Sequence, residues 1–507
     1  MDNEPRSARL WLAAALLLAV VVRVAWLGDK PFWRDEAWVA LLVESPLARV
    51  IDPQWPRAVP VGFVALVKAT GQLPLPPEIA YRLVPLAVGL ALVPLLGRLA
   101  GALGAPAPVP LLVVWLAAAL PALVYYSREV KSYSLDALLA TLAPLLALRL
   151  FERAADGRRG VAPALAGAAL FVLLAAAPWI TFGSAFAIAA LLLWGWVRWM
   201  PAAAIGARAW WAAASLAYTT SFLTALRIAL AQQAASPRLH HAWIDWLLDD
   251  GSLASAVTAV GRFLAISTRY VFLDVWPLAI PLALLGAWRW ARPQRATLLW
   301  LYAGTGALTV AATLAGRYLL AEGRLLLAAL PPLLLAAASG LGIAAGAVAP
   351  RHTRAVALAV ALPLAACWSV QTLSARRLPP SERYFVYDVL HDVGPMLDTA
   401  AALIPAGEPL YVGEWASRPF AYYHRTRGSG RFGDATVCVE PCARAPVTDA
   451  WLSALRGRGW MLVTTDEGAT YTALLAARGL TPQQQAAGRG VELWAVERPV
   501  EPTPAVP

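Results

Sequence analysis

Runs of about 18 or more apolar residues recur along most of this chain, and a run that long matches a bilayer core roughly 30 Å thick. Of its 507 residues, 59% are hydrophobic and only 14% are charged, with a mean hydropathy of +0.59. A soluble globular protein has no use for that much apolar surface, so the sequence reads as a polytopic α-helical membrane protein. The net charge of +11 then becomes a question of which arginines lie on which side of the membrane. No base-stacking or groove-reading motif is visible, and nucleic acid is not an expected partner. Residues 10–27 have the length of a signal-peptide core, but no small-residue cleavage site follows, so they read as an uncleaved first span.

Eleven spans are expected, at 8–27, 81–100, 107–125, 132–151, 161–178, 182–199, 209–229, 272–290, 296–314, 325–346 and 354–373. Lys and Arg in short loops set the direction. With the N-terminus cytoplasmic, the inner segments hold Arg6 and Arg9, Arg98, the cluster Arg149, Arg153, Arg158 and Arg159, then Arg198 and Arg208, Arg289, Arg292 and Arg295, and Arg351 and Arg354. The apolar stretch from Pro60 to Gly71 covers only about 18 Å as a helix, too short to cross. Counted as a span it would move the Arg149–Arg159 cluster outside, so it reads as an interfacial helix on the outer surface.

Past about Arg376 the chain turns more polar. Strand-like runs occur at 409–413, 460–464 and 491–496, with helical patterns near 387–403 and 469–478. That alternation predicts a small α/β domain over residues 376–507, following a transmembrane domain over 1–375. Eleven spans put it in the periplasm or outside the cell. An oxidising compartment favours a Cys438–Cys442 disulfide; a metal site is the rival, but no second Cys or His pair is near. Cys367, inside a span, reads as packing.

This topology leaves charges on the side that is usually poor in them. Arg34, Asp35 and Glu36 follow the first span, in Gly28-Asp-Lys-Pro-Phe-Trp-Arg-Asp-Glu-Ala-Trp38. Glu78 and Arg82 open the second. Ser127-Arg-Glu-Val-Lys-Ser-Tyr133 joins the third and fourth, Arg317, Tyr318, Glu322 and Arg324 precede the tenth, and His240, His241 and Asp245 follow the seventh. Ionisable groups at membrane depth are costly and mark ion, proton or substrate handling. Arginine and lysine there call for an anion, and a lipid phosphate is the natural one because a guanidinium binds phosphate bidentately. Arg227 and Arg262 read instead as snorkelling to headgroups.

These residues resemble a known family. Trp33-Arg-Asp-Glu-Ala-Trp38 is similar to the "DE" first outer loop of the membrane-embedded GT-C glycosyltransferases, in the protein mannosyltransferase and aminoarabinose-transferase-like group, notably its bacterial RgtA/B/C/D-like branch. The resemblance continues in order through Pro60-Val-Gly-Phe63, Pro77-Glu-Ile-Ala-Tyr-Arg-Leu-Val-Pro85 and Tyr126-Ser-Arg-Glu-Val-Lys-Ser-Tyr-Ser-Leu135, then Arg317-Tyr-Leu-Leu with Pro331–Pro332 after it. It covers about the first 150 residues and the region near 317–340; the middle spans and the tail match in general character only.

The resemblance implies transfer of a sugar from a polyprenyl-phosphate donor to a glycan, lipid or protein acceptor at the outer face of a bacterial cytoplasmic (inner) membrane, with inversion. It implies Asp35 as general base, with Glu36 orienting it or helping to bind acceptor or metal. Arg82, Arg128, Lys131 and Arg317 are implied lipid-phosphate ligands, with Arg34, Tyr133 and Tyr318 in the same substrate set. Lys131 stands where the family usually has arginine, and the interfacial helix lacks the family's aromatic pair and second proline. Arg57 stands near where some relatives carry a basic residue. No cofactor is predicted, and a divalent metal is left open: adjacent Asp35 and Glu36 diverge by about 100° on a helix and would chelate one ion only from a turn. Two other readings share the apolar bulk, a non-catalytic transporter or flippase for a lipid-linked glycan and an inactive relative whose tail binds a partner. Against the first, no internal repeat is seen and the charges gather at one face.

Overall fold

In a computed structural model of the chain, the structure describes residues 6–52, 59–155, 161–234, 252–272, 275–289, 292–318, 320, 323–374, 391–427, 430–439, 442, 444–455 and 457–497. The amino-terminal part is helical: α1 (Arg6–Val24), α2 (Arg34–Val43), α3 (Leu47–Val50), α4 (Val61–Thr70), α5 (Pro77–Ala80), α6 (Leu83–Ala102), α7 (Val109–Ala119), α8 (Pro121–Tyr126), α9 (Tyr133–Ala155), α10 (Val161–Ile180), α11 (Ala185–Trp194) and α12 (Ile205–Ala234). Then come α13 (Leu253–Phe272), α14 (Trp276–Arg289), α15 (Arg292–Leu314), α16 (Leu330–Val348) and α17 (Thr353–Ser374). Eight described helical stretches are long and apolar enough to cross a membrane, making this a multi-pass membrane protein. The apolar stretch after Pro60 forms the ten-residue helix α4, about 15 Å long at 1.5 Å per residue.

Of the eleven spans read in the sequence, those at 8–27, 107–125 and 272–290 have no counterpart among these eight described stretches, and other local features depart as well. A 20-residue helix, α13, occupies Leu253–Phe272, where no span is expected. It carries Arg262 and Arg269 and packs through Phe263 on Tyr302 of α15, ring centroids 5.5 Å apart, so tertiary contact rather than a long apolar run holds it. The expected span at 107–125 is two helices, broken where Pro121 supplies no N–H to the turn before it. Arg23, fully buried on α1, fills the gap: its guanidinium donates to the carbonyls of Ala118 at 2.6 Å and Ala117 at 3.0 Å. Cys367 lies exposed on α17 rather than packed in the protein interior.

Small residues let spans approach closely. A Cβ on Gly340 of α16 would fall 1.8 Å from the Leu282 carbonyl oxygen of α14, and one on Gly286 would fall 1.9 Å from that of Ala336. Backbone-to-backbone contact of this kind is how helices associate where no hydrophobic drive separates them from lipid.

The carboxy-terminal part is a small α/β unit with helices α18 (Val393–Leu403), α19 (Ser417–Arg427), α20 (Arg444–Ala454) and α21 (Thr465–Ala476). Its strands β1 (Leu410–Val412), β2 (Thr436–Val437), β3 (Arg458–Thr464), β4 (Gln483–Gly488) and β5 (Val491–Glu497) form one sheet ordered β2-β1-β3-β5-β4. β1 runs parallel to β2 and β3, with Tyr411 opposite Met461, while β5 is antiparallel to β3 and β4. The three central strands match the strand-like runs of the sequence. The short β2, the polar edge β4 and helices α19 and α20 had no such signal. Cys438 and Cys442 are joined by a disulfide, Cα atoms 5.5 Å apart.

One continuous apolar core joins this unit to the membrane part. Phe32, Ala40, Phe63 and Val130 pack in the same cluster as Val393, Tyr422, Tyr423, Trp460 and Leu493. The α/β unit therefore sits on the face that carries α2, α4 and the 127–132 turn.

Candidate active site

The acidic pair lies in the first turn of α2, where the helix N-terminus favours negative charge. Being adjacent on a helix, the two carboxylates point to different neighbours. Glu36 is fully buried. Arg82 grips it with Nε at 3.0 Å and Nη2 at 2.7 Å, Val130 donates its N–H at 3.0 Å, and the Lys30 ammonium stands 3.9 Å away. Burial disfavours its charge, but Arg82 and Lys30 outweigh that and hold its carboxyl below the usual carboxylate range. Arg82 also donates to the carbonyls of Leu27 and Lys30 at 2.9 and 2.6 Å. This pair ties the segment before α2 to the start of α6.

Asp35 meets a different set. Arg324 donates to its Oδ2 at 2.9 Å, and Lys131 lies 4.0 Å from the same oxygen. Arg34 Nε is 3.4 Å from Oδ1, with Arg418 at 3.9 Å. Burial works against the ionised form, yet Lys131, Arg34, Arg324 and Arg418 together hold Asp35 well below the usual carboxylate range. The cations are themselves held by rings: Arg418 lies 3.8 Å from the Trp38 centroid, Lys131 5.8 Å from the same ring, Arg34 4.7 Å from Trp415 and Arg324 5.7 Å from Tyr133.

A third carboxylate lies in the 127–132 turn. Glu129 is buried, and its Oε1 accepts from Trp33 Nε1 at 2.8 Å and the Tyr125 hydroxyl at 3.0 Å. Its Oε2 has no hydrogen-bond partner. Burial pushes this carboxyl up to about 7.

Of the residues singled out in the sequence, Asp35, Arg34, Lys131 and Tyr133 come together. Arg128 lies nearby but caps α1, its Nη1 donating to the carbonyls of Ala25 at 3.2 Å and Val22 at 3.5 Å. Arg317 is solvent-exposed and is not among the cations on Asp35. Tyr318 donates its hydroxyl to the Leu325 carbonyl at 2.7 Å and packs edge-on against Phe186. Arg324, noted in the sequence only as an outer charge, makes the closest contact to Asp35. Arg418 was not anticipated; its one sequence signal is an aromatic-rich stretch, Trp415-Ala-Ser-Arg-Pro-Phe-Ala-Tyr-Tyr423, in an otherwise polar tail.

Metal binding fits these carboxylates poorly. Glu36 is engaged by Arg82 and Asp35 by four cations, and no group of three His, Cys, Asp or Glu able to hold an ion occurs among the described residues. Arg57, His240, His241, Asp245 and Glu322 lie outside the described residues.

No protein-family model matches the chain, and no curated protein matches it by sequence. Solved structures do. The aminoarabinose transferase ArnT of Cupriavidus metallidurans in its apo state superimposes with a TM-score of 0.59 at 14% identity, over 96% of this chain and 98% of that one. The same protein bound to undecaprenyl phosphate gives 0.54 at 15%, over 96% and 97%. The oligosaccharyltransferase of Archaeoglobus fulgidus, in complex with Zn and sulfate, gives 0.54 at 14%, over 95% of this chain and 72% of that one. The chain has the GT-C fold.

Proposed function

We propose that this protein is a membrane glycosyltransferase that moves a sugar from a polyprenyl-phosphate donor to an acceptor hydroxyl. The observation that carries the reading is the ionised Asp35 ringed by Arg34, Lys131, Arg324 and Arg418 at the junction of the helical bundle and the α/β unit. The GT-C fold shared with ArnT and an oligosaccharyltransferase supports it. The arginine distribution supports a bacterial cytoplasmic membrane with the N-terminus inside and the α/β unit outside.

In this mechanism the acceptor oxygen attacks the anomeric carbon as its proton passes to Asp35. The bond between that carbon and the phosphate oxygen breaks, and its electron pair leaves with the lipid phosphate. Cations held in place by Trp38 and Tyr133 stabilise the charge that develops on the phosphate. A carboxylate under four cations is a weak base. The donor phosphate attracts the same cations, so its arrival raises the basicity of Asp35 when the acceptor is to be deprotonated. Glu36, clamped by Arg82, fixes the α2 turn rather than reacting. Displacement from one side inverts the anomeric centre.

The test uses purified full-length protein and a polyprenyl-phosphate-linked sugar, measuring release of polyprenyl phosphate on addition of acceptor. Asp35→Asn is expected to lower the rate by about 10²–10⁴, the usual contribution of a general base. A variant as active as the native protein would remove the central residue. A native protein that only moves the intact lipid-linked sugar across vesicles would instead make it a flippase.

A further inference from the structure

One cation on Asp35 comes from outside the membrane part. Arg418 is the second residue of α19, in the α/β unit, more than 380 positions along the chain from Asp35. Its guanidinium stacks on the indole of Trp38 at 3.8 Å and brings Nη1 to 3.9 Å from Asp35 Oδ1. Stacking fixes the plane of a guanidinium while its N–H groups point outward along that plane, the arrangement suited to a forked contact with an anion.

The rest of α19 fixes this geometry. The Tyr423 hydroxyl accepts from the Phe32 N–H at 2.8 Å and donates to Glu78 at 3.1 Å. Phe32 packs edge-on against Tyr422 at 5.2 Å. Trp415, two residues before the helix, carries the Arg34 guanidinium. Residues 28–38 and α19 thus form one clamp, in which contacts to the α/β unit add to those that Arg82, Lys131 and Arg324 make with the acidic pair. Four positive groups converge on a single carboxylate at this junction, so a phosphate brought among them meets several cationic donors.

We propose that the α/β unit forms part of the transfer site, with Arg418 a ligand of the donor's lipid-linked phosphate beside Lys131 and Arg324, so that lipid-phosphate binding and seating of α19 are coupled. This rests on the polyprenyl-phosphate reading above. By linkage, a ligand held partly by α19 strengthens its docking, and loss of that contact weakens the ligand.

Hydrogen exchange on full-length protein in detergent tests the coupling without a variant. Farnesyl phosphate is expected to slow exchange in Ser417–Arg427, whereas farnesol and inorganic phosphate at the same concentration are not. Unchanged exchange in that segment overturns the proposal, and equal protection by inorganic phosphate overturns the lipid assignment. Calorimetric titration then reads the residue: Arg418→Gln is expected to weaken farnesyl phosphate about tenfold, and Arg418→Lys to recover only part of the loss, because the charge returns without the stacked, forked contact. Affinity within twofold of native in Arg418→Gln overturns the role of Arg418, and a lysine variant as tight as native overturns the forked contact. A native protein that binds farnesyl phosphate and transfers sugar while Arg418→Gln matches it leaves the glycosyltransferase reading intact. One that neither binds nor transfers removes both.

Discussion

Glu36, a single position from Asp35, takes a different role as half of a buried pair with Arg82. Both are wholly buried and satisfy each other with two hydrogen bonds. Removing one partner leaves the other charged in a dry site, which costs about 3–5 kcal/mol. Arg82→Met should therefore lower the unfolding midpoint sharply in detergent melts, and the double variant with Glu36→Leu should recover much of the loss; a double variant as unstable as the single would contradict the brace. Glu129 makes a pH prediction. Its carboxyl is raised from the ordinary value to about 7 by burial, so between those values the folded state binds a proton that the unfolded state has released. Stability falls as pH rises wherever the native state binds more protons. Native protein should therefore lose stability from about pH 5 to 7, and Glu129→Gln should flatten that slope when melts are compared across the range.

At the scale of elements, the break between α7 and α8 depends on a distant side chain. Pro121 cannot donate to the preceding turn, and Arg23 of α1 supplies the missing hydrogen bonds to Ala117 and Ala118. Arg128 does the same for the end of α1. Two arginines thus close two helix ends inside the bundle, where an unsatisfied carbonyl has no water to turn to. Arg23→Met should cost about 1–3 kcal/mol for each carbonyl left unpaired, seen as a lower melting midpoint. A melt unchanged from native would mean that water fills the place of the guanidinium. The acidic pair was legible in the sequence because charge at a span end is conspicuous. The division of labour was not, since Asp35 and Glu36 are chemically near-equivalent until their facing partners are known.

At the scale of the whole molecule, the α/β unit and the bundle share a core and a site. Phe32 and Phe63 pack with Tyr422 and Trp460 in one cluster, and Arg489 donates to the Asp29 carbonyl at 3.0 Å. A chain ending at Ser374 would expose the underside of α2 and remove Arg418. Its sugar transfer should fall at least about tenfold, the worth of roughly 1.4 kcal/mol of lost interaction, in the polyprenyl-phosphate release assay. Retention of full activity would confine the unit to a cap.

Hydropathy by itself determined that this chain lives in a membrane, because long apolar runs have few other stable uses, and most spans lie where those runs do. Short-range chemistry also marked the α/β tail, its central strands and the Asp35 turn. The tertiary structure alone decided which cations meet Asp35. Arg324 and Arg418 lie 289 and 383 residues from it, and no local pattern encodes that convergence. It likewise decided that Arg128 would cap a helix while Arg317 remains exposed. An arginine's role depends on whether an orphaned carbonyl, a carboxylate or solvent faces it, and only the folded chain brings those partners together.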